Sequence, residues 1–490
     1  MRLFGVAVAG LAIASSTTST STSTTPRNDR SGSTITSKDY VGPARCGECH
    51  ADEHARWSAS LHRVMNARVD DPGAVIGDFG GVTIVHAGGT ARFSRDGDAY
   101  VMTLAKDGRD VRYRVTRTIG RRGLQEYVGM GDDGVEVRLP FGWWPRYGGW
   151  APQPAFDAWL DASIDAYAPV REPWAARCPW CHSTYPFEQR IARASGPGHT
   201  GHGLEQFFVG APAGDRLDVA AQITTGISCE SCHLGGRDHV AGAPSHLVPR
   251  GAEPRSDAPV ATRFADERRD PSIVNGTCAQ CHSGPSPRLA DGTSLRNSSE
   301  SLDLGRAPCN GITCLDCHDP HRADTRAADT ETRATAACVR CHDRLADPAA
   351  AKLHAGHDAV GCLDCHMPRI VMGIDRYVRT HRISSPHQTP EINACNLCHL
   401  DRSFDWARDT LADRFGVRAG MSGVREAGHA WLDSKRPAIR LIAAAAYARS
   451  PLGSDERARI GAGLVDPLPY VRAWTRFALD GLQSRSNDRP

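Results

Sequence analysis

Eight times in this 490-residue chain two cysteines stand three positions apart with a histidine directly after the second. The sites are Cys46, Cys49 and His50; Cys178, Cys181 and His182; Cys229, Cys232 and His233; and Cys278, Cys281 and His282. They continue with Cys314, Cys317 and His318; Cys338, Cys341 and His342; Cys362, Cys365 and His366; and Cys395, Cys398 and His399. Two thiols one helical turn apart suit thioether bonds to the two vinyl groups of a haem, and the adjacent imidazole then serves as proximal iron ligand. Zinc ribbons use two dithiol pairs per metal and need no histidine after each. Every C-x-x-C here is followed by histidine, so the pattern predicts eight covalently bound haem c groups. Cys309, the seventeenth cysteine, precedes Cys314 by five residues. It is open to three readings: an extra iron ligand, a reactive thiol, or a small buried apolar residue.

Each iron needs a sixth ligand. Of 21 histidines, thirteen lie outside the motifs: His54, His62, His86, His199, His202, His239, His246, His321, His354, His357, His381, His387 and His429. Only seven methionines are present. Methionine ligation raises haem potentials, so this balance predicts bis-histidine irons of mainly low potential. His199, His202, His239 and His246 are distal candidates from local context, in Gly-rich stretches between motifs. The remaining candidates come from the resemblance described below.

The motifs begin 132, 51, 49, 36, 24, 24 and 33 residues apart, which leaves little polypeptide per haem. Porphyrin must then supply much of the interior, in keeping with an aromatic content of 7%. The expected fold is a mostly irregular and α-helical cytochrome built around stacked haems, with a small antiparallel β insert and an α-helical tail. Residues 1–14 read as a signal peptide, with one Arg before an apolar run that ends in small residues. Residues 15–38 are a Ser/Thr-rich leader with too little apolar surface to fold. A first haem module covers 39–72. The β insert covers 73–140, where short alternating runs are separated by hairpin-type turns at Asp96 and Gly97, Asp107 and Gly108, and Asp133 and Gly134. A seven-haem block follows over 141–400, its stretch from Phe141 to Trp174 connecting sheet and haems. Helical periodicity over Ser403–Phe415, Pro437–Arg449 and Asp455–Leu482 marks a tail, 401–490, resembling about one and a half HEAT units. No run after the leader reaches the ~18–20 apolar residues that span a bilayer. A formal net charge of +2 gives no field that would recruit nucleic acid.

The stretch CGECHADEHARWSASLHRVMNA around Cys46 resembles the opening of tetrahaem-cytochrome-type domains in periplasmic multihaem proteins. The repeated CLDCH, with a later His in each case, and NACNLCH followed by Trp406, resemble the doubled C-x-x-C-H modules of the same proteins. The resemblance spans roughly residues 40–420. It implies that His62, after Trp57 and Ser60, is a distal ligand, and it adds His321, His357, His381 and His387. It also implies an extracytoplasmic octahaem cytochrome that passes electrons between redox partners, such as a quinol-oxidising complex or other cytochromes.

The alternative it carries is an oxidoreductase acting on nitrite, hydroxylamine or tetrathionate at one open haem. The pentahaem nitrite reductases mark such a haem with C-x-x-C-K, which is absent from this sequence. Electron transfer is therefore preferred, and no catalytic residue is assigned. Mass spectrometry of protein matured by the haem c attachment machinery is expected to show eight covalent haems. Fewer than seven would overturn the motif reading.

Overall fold

In the computed structural model, residues 36–152, 173–194, 203, 218–245, 247 and 270–487 are described, apart from 87, 146–147, 285, 296–297, 310, 323–326, 359, 372–376, 387–390 and 468. The alternating stretch after the first motif folds as an antiparallel meander. Its strands are β1 (Ala67–Arg68), β2 (Val82–His86), β3 (Gly89–Asp96), β4 (Ala99–Lys106), β5 (Arg109–Ile119), β6 (Glu126–Met130) and β7 (Glu136–Arg138). Strands β2 to β7 pair in sequence order, and β1 joins the far end of β5 through Ala67 opposite Thr118. The two-residue connection from β4 to β5 is Asp107 and Gly108, both at positive φ (53° and 71°), the backbone a tight hairpin demands. Alternation sorts the faces. Phe93, Met102 and Tyr113 line up across three strands and are buried, whereas Arg92, Thr103 and Arg112 form the opposite, wetter row.

A second hairpin, β8 (Phe141–Trp144) with β9 (Gly149–Pro152), closes the apolar face. Its Trp150 stacks flat on Phe93 with ring centres 3.7 Å apart, and Phe141 is fully buried in the same core. The β insert thus reaches past residue 140, because the sheet's inner face needed a lid. Residues 153–172, the rest of the expected connection, lie outside the described residues.

The tail has its own core. Helix Phe404–Phe415 starts where the Ser403 hydroxyl accepts from the Trp406 N–H at 3.1 Å, and ends at Gly416 in the left-handed conformation. Helix Pro437–Arg449 is buried almost all round, from Ala438 to Tyr447, so it is the centre of the cluster rather than its wall. Around it pack Trp431, Ile460, Val471, Trp474 and Leu482. The same core takes in Ile370 and Val371 from the hairpin after the seventh motif, which fuses tail and haem-motif region. The expected helix over 455–482 is two pieces, Arg457–Gly461 and Pro469–Asn487. Pro467 lacks an N–H and clashes with the preceding turn, so the chain restarts after it. The short helix Ala427–Leu432 was not anticipated; six residues carry too little periodicity to read.

Ile442, fully buried in that central helix, gives a direct test. Ile442→Ala is expected to destabilise the tail by about 2–5 kcal/mol, read as faster amide exchange along Pro437–Arg449. Exchange in β3 and β4 should stay unchanged.

Candidate functional site

The C-x-x-C-H segments are single turns of helix. The N–H groups of His50, His233, His318, His342 and His399 each donate to the carbonyl of their motif's first cysteine at 2.9 Å. That bond gathers both thiols and the imidazole within one turn. Local sequence sets where the turn begins. Asp316 accepts from the Thr313 N–H at 2.7 Å, Asp364 from the Gly361 N–H at 2.9 Å, and Asn393 from the Asn396 N–H at 2.9 Å. The Asp of each CLDCH is therefore a capping group.

Across from these turns stand other histidines. Ring centres are 6.0 Å apart for His50 and His239, 6.5 Å for His282 and His62, and 6.2 Å for His233 and His321. They are 6.2 Å apart for His318 and His381, 6.2 Å for His366 and His354, and 6.0 Å for His399 and His357. Each pair joins one motif histidine to one from elsewhere in the chain. At these distances the imidazoles cannot hydrogen-bond each other. A metal with bonds of about 2.0–2.1 Å to two trans imidazole nitrogens would set the ring centres about 6.4 Å apart. The six pairs fit a haem iron held between them.

Hydrogen bonds at Nδ1 orient several of these rings. The acceptors are the carbonyls of Ala243 for His239 (2.8 Å), Ala355 for His357 (2.8 Å) and Ser384 for His366 (3.0 Å). With Nδ1 donating, Nε2 keeps the lone pair a metal needs. Burial and the facing ring hold His62 down at about 4, and burial first also lowers His318, His366 and His399. All four are thereby neutral, the ligating form. His282 differs. Burial pulls it down, but the hydrogen bond and charge of Glu300 outweigh that and push it up to about 9; burial likewise raises Glu300, yet His282 holds it at about 2.

Long-range contacts bring the paired segments together. The buried Glu230 carboxylate accepts from the N–H groups of Val41 (2.9 Å), Gly42 (2.8 Å) and Gly236 (2.8 Å). One side chain thus ties the entry to the first motif onto the third motif and the turn that carries His239. Burial raises this carboxyl against the pull of its three donors. His62 is placed by the segment before the third motif. Trp57 Nε1 donates to the Ile227 carbonyl at 2.8 Å, and the Ile227 N–H to the His62 carbonyl at 2.9 Å. Gly226, at φ +82°, passes so close to the Arg63 carbonyl that a Cβ would lie 2.3 Å from it.

Five of the nine distal candidates read from sequence stand opposite a motif histidine: His62, His239, His321, His357 and His381. His199, His202, His246 and His387 lie outside the described residues. His354 was missed. It ends the helix Pro348–Ala355, and the left-handed Gly356 turns the chain so that His354 and His357 meet two different motifs. The histidine pair straddling Gly356, between two motifs, was the available signal. His429 sits between Glu426 and Glu456, 2.8 Å from each, and His54 packs on Trp57. His182 lies against Trp174 with Nδ1 3.4 Å from the Met65 carbonyl, and His342 is exposed.

Motifs also meet one another. The turn of the first motif packs on that of the third, the second on the fourth, and the fourth to eighth pack in succession. Cys232 neighbours Cys281, Cys317 neighbours Cys338, Cys338 neighbours Cys362 and Cys309, and Cys365 neighbours Cys395.

Two family models match the chain: cytochrome c552 over residues 349–425, and the doubled CXXCH motif over residues 307–347. The chain carries the modules of a multihaem c-type cytochrome. Its C-x-x-C-H motifs bind haem c covalently. The matched segments hold the fifth to eighth motifs together with His354 and His357. No curated protein matches. The crystal structure of outer cell wall cytochrome OcwA aligns with 91% of this chain and 99% of its own at 16% identity, TM-score 0.43. The octaheme sulfite reductase MccA of Wolinella succinogenes, form II, aligns with 92% of this chain and 83% of its own at 12% identity, TM-score 0.34. Among the described residues no helix is long and apolar enough to cross a membrane.

Glu230→Ala would strand three N–H donors, at a cost on the order of 1–3 kcal/mol each where they are buried. Amide exchange at Val41, Gly42 and Gly236 is expected to rise about tenfold or more, with the fifth to eighth motifs unaffected. Unchanged protection would show that Glu230 does not hold the first motif to the third.

Proposed function

We propose that this chain is an octahaem electron-transfer protein that works outside the cytoplasm, relaying electrons between redox partners along a line of bis-histidine haems. The observation that carries this reading is the set of six imidazole pairs at 6.0–6.5 Å. In this reading His50, His233, His282, His318, His366 and His399 are proximal ligands, facing His239, His321, His62, His381, His354 and His357 respectively. His182 and His342 are the proximal ligands of the second and sixth motifs. An iron with imidazole on both faces has no position for substrate, and it is low-spin and low in potential. Its work is to pass electrons on.

The meeting of motifs supplies an order. Thioethers fix the porphyrin edge at the cysteines, so motifs that meet bring haem edges together. The line runs from the first haem to the third and fourth, then through the fifth, sixth and seventh to the eighth. The second haem joins at the fourth. Export of the chain by the signal peptide read at residues 1–14 fits haem attachment outside the cytoplasm, and partner proteins would be cytochromes or a quinol-oxidising complex. The tail, HEAT-like in its sequence, serves as structural support or a docking module.

Electron paramagnetic resonance tests the reading. The oxidised protein is expected to give low-spin ferric signals at the six paired haems, and the haems should titrate mostly below the standard hydrogen potential. His62→Ala and His354→Ala should each convert one haem to high spin while every haem stays attached. Unchanged spectra in both variants would refute the ligand assignment. A strong high-spin signal in the unaltered protein would instead favour an oxidoreductase with an open haem, acting on a small nitrogen or sulfur compound.

A further inference from the structure

Among the described residues, one motif histidine has a carboxylate as its Nδ1 hydrogen-bond partner. For His182, His239, His357 and His366 the acceptor is a backbone carbonyl, and His233 Nδ1 lies 3.2 Å from the Ser245 hydroxyl. His321 Nδ1 is 4.0 Å from the half-buried Asp319, beyond hydrogen-bond reach. His282 Nδ1 meets a carboxylate, Glu300 Oε2, at 3.0 Å. Glu300 is held for this contact. Its other oxygen accepts from the Ser298 N–H at 2.9 Å, and Ser298 takes the left-handed conformation (φ 67°) that turns the chain back. Gly284 N–H donates to the Ser298 carbonyl at 2.7 Å, and the Ser299 hydroxyl to the Gly284 carbonyl at 2.7 Å. The loop carrying Glu300 is therefore laced twice to Gly284, two residues after His282.

A proximal imidazole that donates to a carboxylate carries more negative charge on its ligating nitrogen. That charge stabilises ferric over ferrous iron and lowers the potential. The carboxylate charge also acts on the pair beside it, His318 and His381. The position matters as much as the chemistry. Helix Pro271–His282, which carries the fourth motif, packs on the turns of the second and fifth, and Cys181 Sγ lies 3.8 Å from the Gln280 carbonyl, so this haem is the junction of the proposed line. Resting on the ligand assignment above, we propose that Glu300 is a positioning residue that makes the haem at Cys278 and Cys281 the last to be reduced among those it touches. Electrons then reside on the haems before and after the junction, and cross it by a thermally uphill step.

The test uses the full haem-loaded chain. Glu300→Gln keeps the shape and removes the charge. The haem to follow is the one that His62→Ala turns high-spin. In Glu300→Gln its midpoint is expected to rise by at least a tenfold change in the ratio of reduced to oxidised haem at a given potential, about 59 mV for one electron. The haems of the second and third motifs should not move, and Glu300→Asp should recover part of the shift. An unchanged midpoint in a variant with all haems attached overturns the proposal while leaving the ligand assignment intact. Should Glu300→Gln lose its haem, the near-infrared charge-transfer bands of the unaltered ferric protein decide. One imidazolate-like component is expected, and its absence overturns the proposal. If His62→Ala leaves every spin state unchanged, the ligand assignment has failed rather than the role of Glu300.

Discussion

A C-x-x-C-H turn can grip a haem by its edge and by one face of its iron, and no more. In the proposed reading the second face is met by an imidazole from another part of the chain, at a separation the metal would set. The six pairs at 6.0–6.5 Å fit that requirement. Each would then clamp together segments that share no secondary structure. His62 leaves the first motif and meets the fourth, while His239 leaves the third and meets the first. The interlocking of these arms explains why so many buried polar groups, Glu230 foremost, serve to fix short loops rather than helices or strands.

The apolar cores lie to either side of this region. One is the sheet under Trp150, the other the tail around helix Pro437–Arg449. Trp144 and Phe477, with ring centres 5.6 Å apart, bring the two bodies into contact. Among the described residues between 218 and 350, the two large clusters take only Leu289 and Leu295, while Ile227, Leu234, Ile273, Val274 and Ala279 are buried outside them. In the proposed reading porphyrin would supply the rest of the apolar filling there.

The motif residues were legible because their chemistry is local: both thiols and the imidazole sit within five residues, and no tertiary context is needed to see them. The hairpin at Asp107 and Gly108 was legible for the same reason, since positive φ at two successive positions selects those residue types. Distal histidines are a different problem. His62 and His381 stood out through neighbouring residues, whereas the signal for His354 was weaker: a second histidine across Gly356, whose left-handed turn sends His354 and His357 to different motifs. Glu300 carried no signal at all, because its partner lies across a loop whose path depends on Ser298 adopting an uncommon conformation. The lid hairpin was read as a connection because its role is set by the sheet beneath it.

Spatial order departs from chain order in one part of the molecule only, and the reason is connection length. From the fourth motif onward the starts are 36, 24, 24 and 33 residues apart, and successive motifs are neighbours, as short connections require. The first two motifs are separated by 132 residues that build the sheet. That excursion releases the second motif from its predecessor. The first motif packs on the third through Glu230, and the second on the fourth through Cys181 and the Gln280 carbonyl. The result is a line of motifs with a branch, and the branch falls on the motif whose histidine meets a carboxylate. In the proposed reading, the insertion that builds the sheet sets which haems would exchange electrons directly.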